Sequence, residues 1–256
     1  MKTPILLTAL LILLLSCETK KETEKLIFHQ DFNTEELDTS LWNFDLGNGC
    51  PNLCGWGNNE RQLYTKENVS VKDGKLVIKA TKQDSSYFSG KIHTKSKFEF
   101  TYGTIEVKAK LPQGHGLWPA IWMLGHDIDK NTWPACGEID IMEYVGKEPH
   151  TIYTSLHNSS SYGNTINSKK TRKKNIEEGF HIYKTEWSKD AIVFYIDGEK
   201  VYTYSPNEKD EKNWPYDKPF YLILNLAIGG NFGGPEVDDN IFPQEFIIDY
   251  IKVYSL

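Results

Sequence analysis

The chain has little of what several protein classes require. Its 256 residues include 19 glycines and 11 prolines, too few for collagen, and no long stretch repeats apolar residues at the helical period. Lys and Arg number 29 against 35 Asp and Glu, so the net charge of −6 gives no basic footprint for nucleic acid. With 39% hydrophobic residues, the composition excludes disorder, collagen and a coiled coil, and it favours a globular fold with a neutral partner.

Long hydrophobic runs are also missing. The longest, Ile5 to Leu15, is too short to span a bilayer as a stable helix. The run follows Lys2, and its last two residues begin the segment Leu14-Leu15-Ser16-Cys17, which resembles a bacterial lipobox. We therefore expect a lipoprotein signal peptide over residues 1–16, a charged tether over 17–25 and a single domain over 26–256. The exported protein, a monomer, would be held to the bacterial membrane only by a lipid on Cys17, at the outer membrane or its periplasmic face.

Cysteine is scarce, with four residues in the whole chain. If Cys17 carries lipid, Cys50, Cys54 and Cys136 remain, and three thiols cannot all pair. One disulfide is expected in an exported protein, but the sequence does not choose the pair. Half of a zinc site at Cys50 and Cys54 is the competing interpretation, and no second ligand pair follows at the required spacing.

What the sequence does have is aromatic side chains and a two-residue hydrophobic period. Aromatic residues make up 13% of the chain, enough to fill a core and to supply rings for a binding surface. Ile105, Val107, Ala109 and Leu111 alternate with charged residues, as in a half-buried strand. About a dozen such segments, separated by Gly, Pro and Asn, predict an all-β sandwich or jelly roll. Asp197-Gly198 predicts a hairpin turn, and the polar stretch 158–179 predicts a solvated loop.

One predicted strand carries three acids among apolar residues: Glu138, Asp140 and Glu143. In a regular strand Glu143 would point away from the other two, but one bulged residue near Ile141 and Met142 would return it to their face. The two glutamate backbones would then lie about four strand steps, roughly 13 Å, apart, so that leaning side chains could nearly meet. Crowded carboxyl groups raise at least one pKa, which keeps a proton available near neutral pH.

Two carboxyl groups about 5–5.5 Å apart are what a retaining glycosidase needs, one as nucleophile and one as acid/base. An exposed acidic edge or a calcium site is the alternative interpretation. The apolar strand and its flanking tryptophans favour catalysis.

The segment Glu138-Ile139-Asp140-Ile141-Met142-Glu143 resembles the signature of glycoside hydrolase family 16, in the bulged form of laminarinase-like members. Other segments, spread over residues 26 to 255, resemble bacterial endo-β-1,3-glucanases: Gly116 to Leu124, Trp133 to Gly137, Trp56 to Glu60, Ser89 to Ile92, His157 and Leu224 to Asn231. This resemblance implies a curved β-jelly roll of the concanavalin-like type, with a concave groove for a polysaccharide. It assigns Glu138 as nucleophile, Glu143 as general acid/base and Asp140 as the helper of the nucleophile.

The resemblance also implies a set of sugar-binding residues: Trp118, Trp122, Trp133, Asn58, Glu60, Lys91 and His157. Tryptophan rings suit the C–H faces of pyranoses, and groove and core remain open alternatives for Trp122. Lys91 departs from the family, whose members usually carry arginine there and gain a forked donor.

Relatives often hold a structural calcium ion, and Asp31, Gly74 and Asp249 match its ligand positions. No cofactor is implied for catalysis. The expected function is a retaining endo-hydrolase of laminarin-like β-1,3-glucan, with mixed-linkage β-1,3-1,4-glucan as a further candidate substrate. A galactan hydrolase and a non-catalytic glycan-binding lipoprotein are the alternatives.

Overall fold

The computed structural model describes residues 24–255. The predicted signal peptide, most of the tether and Cys17 lie outside these residues. The described part is built from strands, one four-residue α-helix (α1, Gly230–Gly233) and two short 3₁₀ helices. The strands, in chain order, are β1 Lys25–Gln30, β2 Asn43–Phe44, β3 Gln62–Tyr64, β4 Val69–Lys72, β5 Lys75–Gln83, β6 Ser86–Ser89, β7 Lys91–His93, β8 Glu99–Phe100, β9 Gly103–Lys110, β10 Leu117–Gly125, β11 Glu138–Tyr144, β12 Thr151–His157, β13 Ser168–Arg172, β14 His181–Trp187, β15 Ile192–Ile196, β16 Glu199–Tyr204, β17 Phe220–Ile228 and β18 Gln244–Ser255.

These strands form two sheets. A ten-stranded sheet has the order β16-β15-β14-β9-β18-β5-β6-β3, with β1 on β18 and β4 on β5. An eight-stranded sheet has the order β13-β12-β11-β10-β17-β7-β2, with β8 on β17. Apart from the parallel pair β3–β6, the pairs between these strands are antiparallel. The predicted all-β sandwich is confirmed.

The core lies between the two sheets, and the burial pattern differs between them. In β9 the apolar residues Ile105, Val107 and Ala109 are fully buried while the alternating charged residues are half-exposed, as the period of two predicts. In β17 all nine residues are buried, so that strand shows no alternation. Both faces of β17 are therefore covered, one by the core and the other by the groups described below. We call this second face of the eight-stranded sheet the open face.

Two local predictions have different outcomes. Asp197 and Gly198 both adopt positive φ, 52° and 79°, and join β15 to β16 in the predicted hairpin. The prediction of a loop across 158–179 is wrong in its middle, where β13 pairs with β12 at the sheet edge. Its Lys-rich sequence hid the strand, because charged side chains are common on edge strands that face solvent.

The cysteine pairing left open by the sequence is decided here. Cys50 and Cys54 form a disulfide, which removes the zinc alternative, and Cys136 is a free, buried thiol. Among residues 24–255, helices long and apolar enough to cross a bilayer are absent.

Candidate active site

A bulge in β11 turns its three carboxyl groups to the open face. Asp140 and Glu143, three residues apart, pair with β12 residues that are only two apart. The pairing with β10 slips at the same point, which leaves Ile141 as the extra residue. One extra residue restores Glu143 to the face of Glu138 and Asp140, while Ile141 and Met142 pack in the core. The predicted bulge is confirmed.

Two tryptophans each donate a hydrogen bond to one of the glutamates. The indole N–H of Trp133 donates to Oε2 of Glu138 at 2.7 Å. The indole N–H of Trp118 donates to Oε1 of Glu143 at 3.1 Å. Each bond fixes one carboxyl group and stabilises its ionised form.

The turn before β11 sets the position of Trp133. Gly137 has φ 78°, and a side chain there would meet Pro215 Cγ at 2.9 Å. Only glycine fits both the positive φ and this close approach. The chain can therefore leave the loop that holds Trp133 and enter β11 directly at Glu138.

His157, the β12 partner of Glu138, lies beside the same cluster. Its Nε2 atom is 3.1 Å from Oδ2 of Asp140 and 3.9 Å from Oε1 of Glu138. One ligand atom from each of the three residues lies within 4.8 Å of the others, a spacing that would also admit a small cation. The two carboxylate ligands of such a cation would be Glu138 and Asp140 themselves.

Burial changes the protonation of all three acids. Burial, followed by the charge of Asp140, raises the pKa of Glu138 to about 8. Burial likewise raises the pKa of Asp140 to about 7. Burial, with the charge of Asp140 next, raises the pKa of Glu143 well above its usual range. The cluster therefore retains protons near neutral pH, as a site that needs a carboxylic acid donor requires.

Glu60 lies at the end of a second polar cluster. Its carboxylate accepts hydrogen bonds from Asn58 Nδ2 at 3.3 Å, Gln62 Nε2 at 2.6 Å and the Tyr64 hydroxyl at 3.0 Å. Burial raises the pKa of Glu60, although these donors oppose that shift. The structure thus brings together Asn58 and Glu60, both predicted as sugar-binding residues.

A hydrogen-bond chain connects this cluster to Trp122. Asn225 Nδ2 donates to the Tyr64 hydroxyl at 3.1 Å, and the indole N–H of Trp122 donates to Asn225 Oδ1 at 2.8 Å. Trp122 pairs with Asp140 across β10 and β11, so its half-buried ring belongs to the open face and not to the core. Sequence reasoning missed the role of Asn225. The signal was one amide inside the apolar run of β17.

The buried side chain of Lys91 lies against the rings of Trp56 and Trp122. Its ammonium group is 4.2 Å from the ring centroid of Trp56 and 5.4 Å from that of Trp122. Asp45, which the sequence did not point to, lies 3.1 Å from Nζ of Lys91. The lysine is thus held by one carboxylate and two aromatic faces, and the charge of the usual arginine is kept without its forked donor.

Two of the three residues predicted to hold calcium, Asp31 and Asp249, have carboxylates that already contact other side chains. Asn33 Nδ2 donates to Asp31 at 2.8 Å, and a side chain at Gly74 would meet Asn33 Oδ1 at 3.1 Å. The carboxylate of Asp249 lies 2.8 Å from the Lys108 ammonium and 3.9 Å from that of Lys75. A divalent cation there would face two positive charges. The two carboxylates and the Gly74 carbonyl are oxygen ligands of the kind that calcium takes, so calcium at this site stays a prediction.

Comparison with known proteins accords with this geometry. The chain is 61% identical to the crystal structure of a laminarinase from Flavobacterium sp. UMI-01, with a TM-score of 0.89 over 90% of this chain and all of that one. It is 40% identical to glucan endo-1,3-beta-glucosidase A1 of Niallia circulans over 90% of this chain, but it spans only 38% of that protein. A beta-glucanase of Rhodothermus marinus is 36% identical, over 90% of this chain and 85% of the relative. The likeness to the laminarinase confirms the predicted jelly roll.

Residues 57–251, which contain the bulged strand, its acids and most of both sheets, match the glycosyl hydrolases of family 16. That match covers well over half of the chain and includes the signature from which the resemblance was first drawn. With its acids, its bulge and its two-sheet architecture, the chain belongs to glycosyl hydrolase family 16.

Proposed function

We propose that the protein is a retaining endo-β-1,3-glucanase that cleaves laminarin-like glucan, with mixed-linkage β-1,3-1,4-glucan as a second substrate. The observation that carries this proposal is the bulge at Ile141, which places Glu138, Asp140 and Glu143 on one face. The printed activities of relatives support the substrate: a laminarinase, a glucan endo-1,3-beta-glucosidase and a beta-glucanase.

In the first step, Glu138 attacks the anomeric carbon of the sugar while Glu143 donates its proton to the leaving oxygen. Trp133 assists because its N–H stabilises the Glu138 carboxylate, and Trp118 orients the carboxyl of Glu143. A covalent ester then links Glu138 to the sugar. No metal or organic cofactor takes part in this proposal.

In the second step, Glu143 removes a proton from water, and the water oxygen attacks the anomeric carbon and releases Glu138. Two displacements at the same carbon retain the β configuration. Asp140 lies between the two glutamates along β11, and its charge adds to burial in raising the pKa of Glu138, so Asp140 modulates the protonation of the nucleophile. Nε2 of His157 lies near both acids, so the ring helps to position their carboxyl groups.

We assign Asn58, Glu60, Lys91 and Trp122 to the glycone side of the cleavage point. The carboxylate and amide groups would accept and donate hydrogen bonds to sugar hydroxyls, and the rings would pack on the C–H faces. Support comes from the hydrogen-bond chain from Glu60 to Trp122, which preorganises these side chains before substrate arrives.

The direct test is hydrolysis of laminarin, lichenan and agarose, followed by the release of reducing ends. Wild type should cleave laminarin and lichenan but not agarose, and Glu138→Gln should release nothing. Glu211→Gln, at an exposed position, is the matched control and should retain full activity. Early products observed by NMR should carry the β anomer.

Three outcomes would overturn the proposal. Release from agarose alone indicates a galactan hydrolase, and retention of glucan on an affinity gel without cleavage indicates a binding protein. Early products with the α anomer would contradict the assigned double displacement.

We also propose that the enzyme is exported and anchored by a lipid on Cys17. Support comes from the sequence Leu14-Leu15-Ser16-Cys17 after the short apolar run. Radiolabelled palmitate should be incorporated by the wild-type protein in a bacterial host and not by Cys17→Ala. Equal incorporation by the two would refute the anchor.

A further inference from the structure

The loop between β12 and β13 displays an aromatic ring beside the acids. Tyr162 is 54% exposed, and its ring centroid is 5.4 Å from that of Trp133 at an interplanar angle of 82°. Trp133 is itself 41% exposed and donates to the carboxylate of Glu138. These two rings form a corner of exposed apolar surface that reaches the proposed nucleophile, and none of the assignments above involves Tyr162.

The loop that carries Tyr162 is fixed to the body of the protein. Asn158, at its start, is fully buried, and its amide donates to the hydroxyls of Tyr204 and Tyr216 at 3.3 Å. Its Oδ1 atom accepts from the backbone N–H groups of Ser160 at 3.0 Å and Ser161 at 3.1 Å. The ring is therefore displayed by a preorganised segment, which lowers the entropy lost when a ligand binds.

The strand order places Tyr162 on one particular side of the cleavage point. Lys91 belongs to β7, which is separated from β11 by β17 and β10. Tyr162 follows β12, on the opposite side of β11. A glucan laid across the strands, with its glycone end over Lys91 and Glu60, would extend its leaving group toward Tyr162.

We propose that Tyr162, together with the exposed part of Trp133, forms a glucose-binding subsite on the leaving-group side of the scissile bond. This inference rests on the proposed function and names the residue that selects longer glucans. The chemistry is the packing of pyranose C–H faces against aromatic rings. The same subsite would bind the acceptor in transglycosylation, in which an acceptor hydroxyl replaces water. The hydroxyl oxygen bonds to the anomeric carbon, its proton goes to Glu143, and the ester to Glu138 breaks.

The test compares two substrates that place different groups on this side. A 4-nitrophenyl β-laminarioside presents a small leaving group, whereas laminarihexaose extends glucose units across the cleavage point. For Tyr162→Ala we expect kcat/KM on laminarihexaose to fall about three- to tenfold. On the nitrophenyl substrate kcat/KM should be unchanged, and the ratio of transglycosylation to hydrolysis should fall.

Two further variants serve as controls. Tyr162→Phe keeps the ring and should behave as wild type. Ile166→Ala removes an 87% exposed side chain from the same loop and should change neither substrate. The melting temperature of Tyr162→Ala should equal that of wild type, since the lost side chain is exposed.

Equal kcat/KM of wild type and Tyr162→Ala on laminarihexaose would overturn the inference. A proportional loss on both substrates would overturn it as well, because it would place Tyr162 on the glycone side or in a structural role. Failure of the proposed function looks different, since wild type would then cleave neither substrate.

Discussion

Replacing Glu143 by glutamine tests whether this residue supplies the proton that the leaving oxygen receives. Glu143 is buried, with 9% of its surface exposed, and accepts a hydrogen bond from Trp118. Glutamine has the same size and keeps an acceptor oxygen for that indole. The substitution therefore removes the transferable proton and the charge with little change in packing.

The expected magnitude follows from the value of general acid catalysis, which is typically 10²- to 10⁴-fold. We expect kcat on laminarin to fall by that factor in Glu143→Gln, equivalent to about 3–5 kcal/mol of the activation barrier. Burial and the charge of Asp140 raise the pKa of Glu143 well above its usual range, which favours the protonated form that a general acid needs. Wild-type activity should fall at alkaline pH as this proton is lost.

The assay is the pH dependence of kcat on laminarin and on a 2,4-dinitrophenyl β-laminarioside, whose leaving group needs no proton. Glu143→Gln should form the glycosyl-enzyme from the dinitrophenyl substrate at nearly the wild-type rate, and the alkaline limb should disappear. Glu138→Gln, as the control, should lose activity on both substrates. Laminarin hydrolysis by Glu143→Gln at close to the wild-type rate, or persistence of the alkaline limb, would refute the acid assignment.

Four further outcomes are expected. Trp133→Phe removes the donor that lowers the pKa of Glu138, so the acidic limb of kcat/KM should move to higher pH; an unmoved limb contradicts this. Burial raises the pKa of Asp140 to about 7. The part of the free energy of unfolding that depends on protonated Asp140 is therefore fully present below about pH 4, the pKa of an unfolded Asp, and is lost as the pH rises through 7. The free energy of unfolding in urea should therefore decline with pH less steeply in Asp140→Asn than in wild type, by about 1 kcal/mol per pH unit between pH 4 and 7. Equal slopes for the two proteins would contradict this. Asp45→Ala leaves the buried Lys91 ammonium without its carboxylate and should lower the free energy of unfolding by about 1–3 kcal/mol; a change within error would contradict the pairing. If calcium binds at Asp31, Gly74 and Asp249, the melting temperature should be higher in calcium than in EDTA, and equal values would contradict that prediction.

Much of the candidate site could be predicted from the sequence because its signals are local. The alternation of apolar and charged residues in β9 and β15 specifies strands with one buried face. The spacing of Glu138, Asp140 and Glu143 implies a bulge, since without one Glu143 would be buried on the core side. These inferences require only neighbours within about ten residues.

The partners of these residues could not be predicted, because they come from distant parts of the chain. Asn225 connects Trp122 to Tyr64 only because β17 lies next to β10, about a hundred residues earlier in the chain. Strand pairing likewise decides that Asp45 meets Lys91 and that Tyr162 stands beside Trp133.

By itself, then, the sequence determined most of the strands, the acids and the bulge, since these depend on local period and spacing, while the family followed from the resemblance of its motifs. The tertiary structure alone decided which thiols pair, which donors hold each carboxylate, that two lysines face Asp249, and how far burial raises the pKa values of the acids. The physical reason is that hydrogen bonding and desolvation depend on which atoms meet in space, and a local pattern does not encode those contacts.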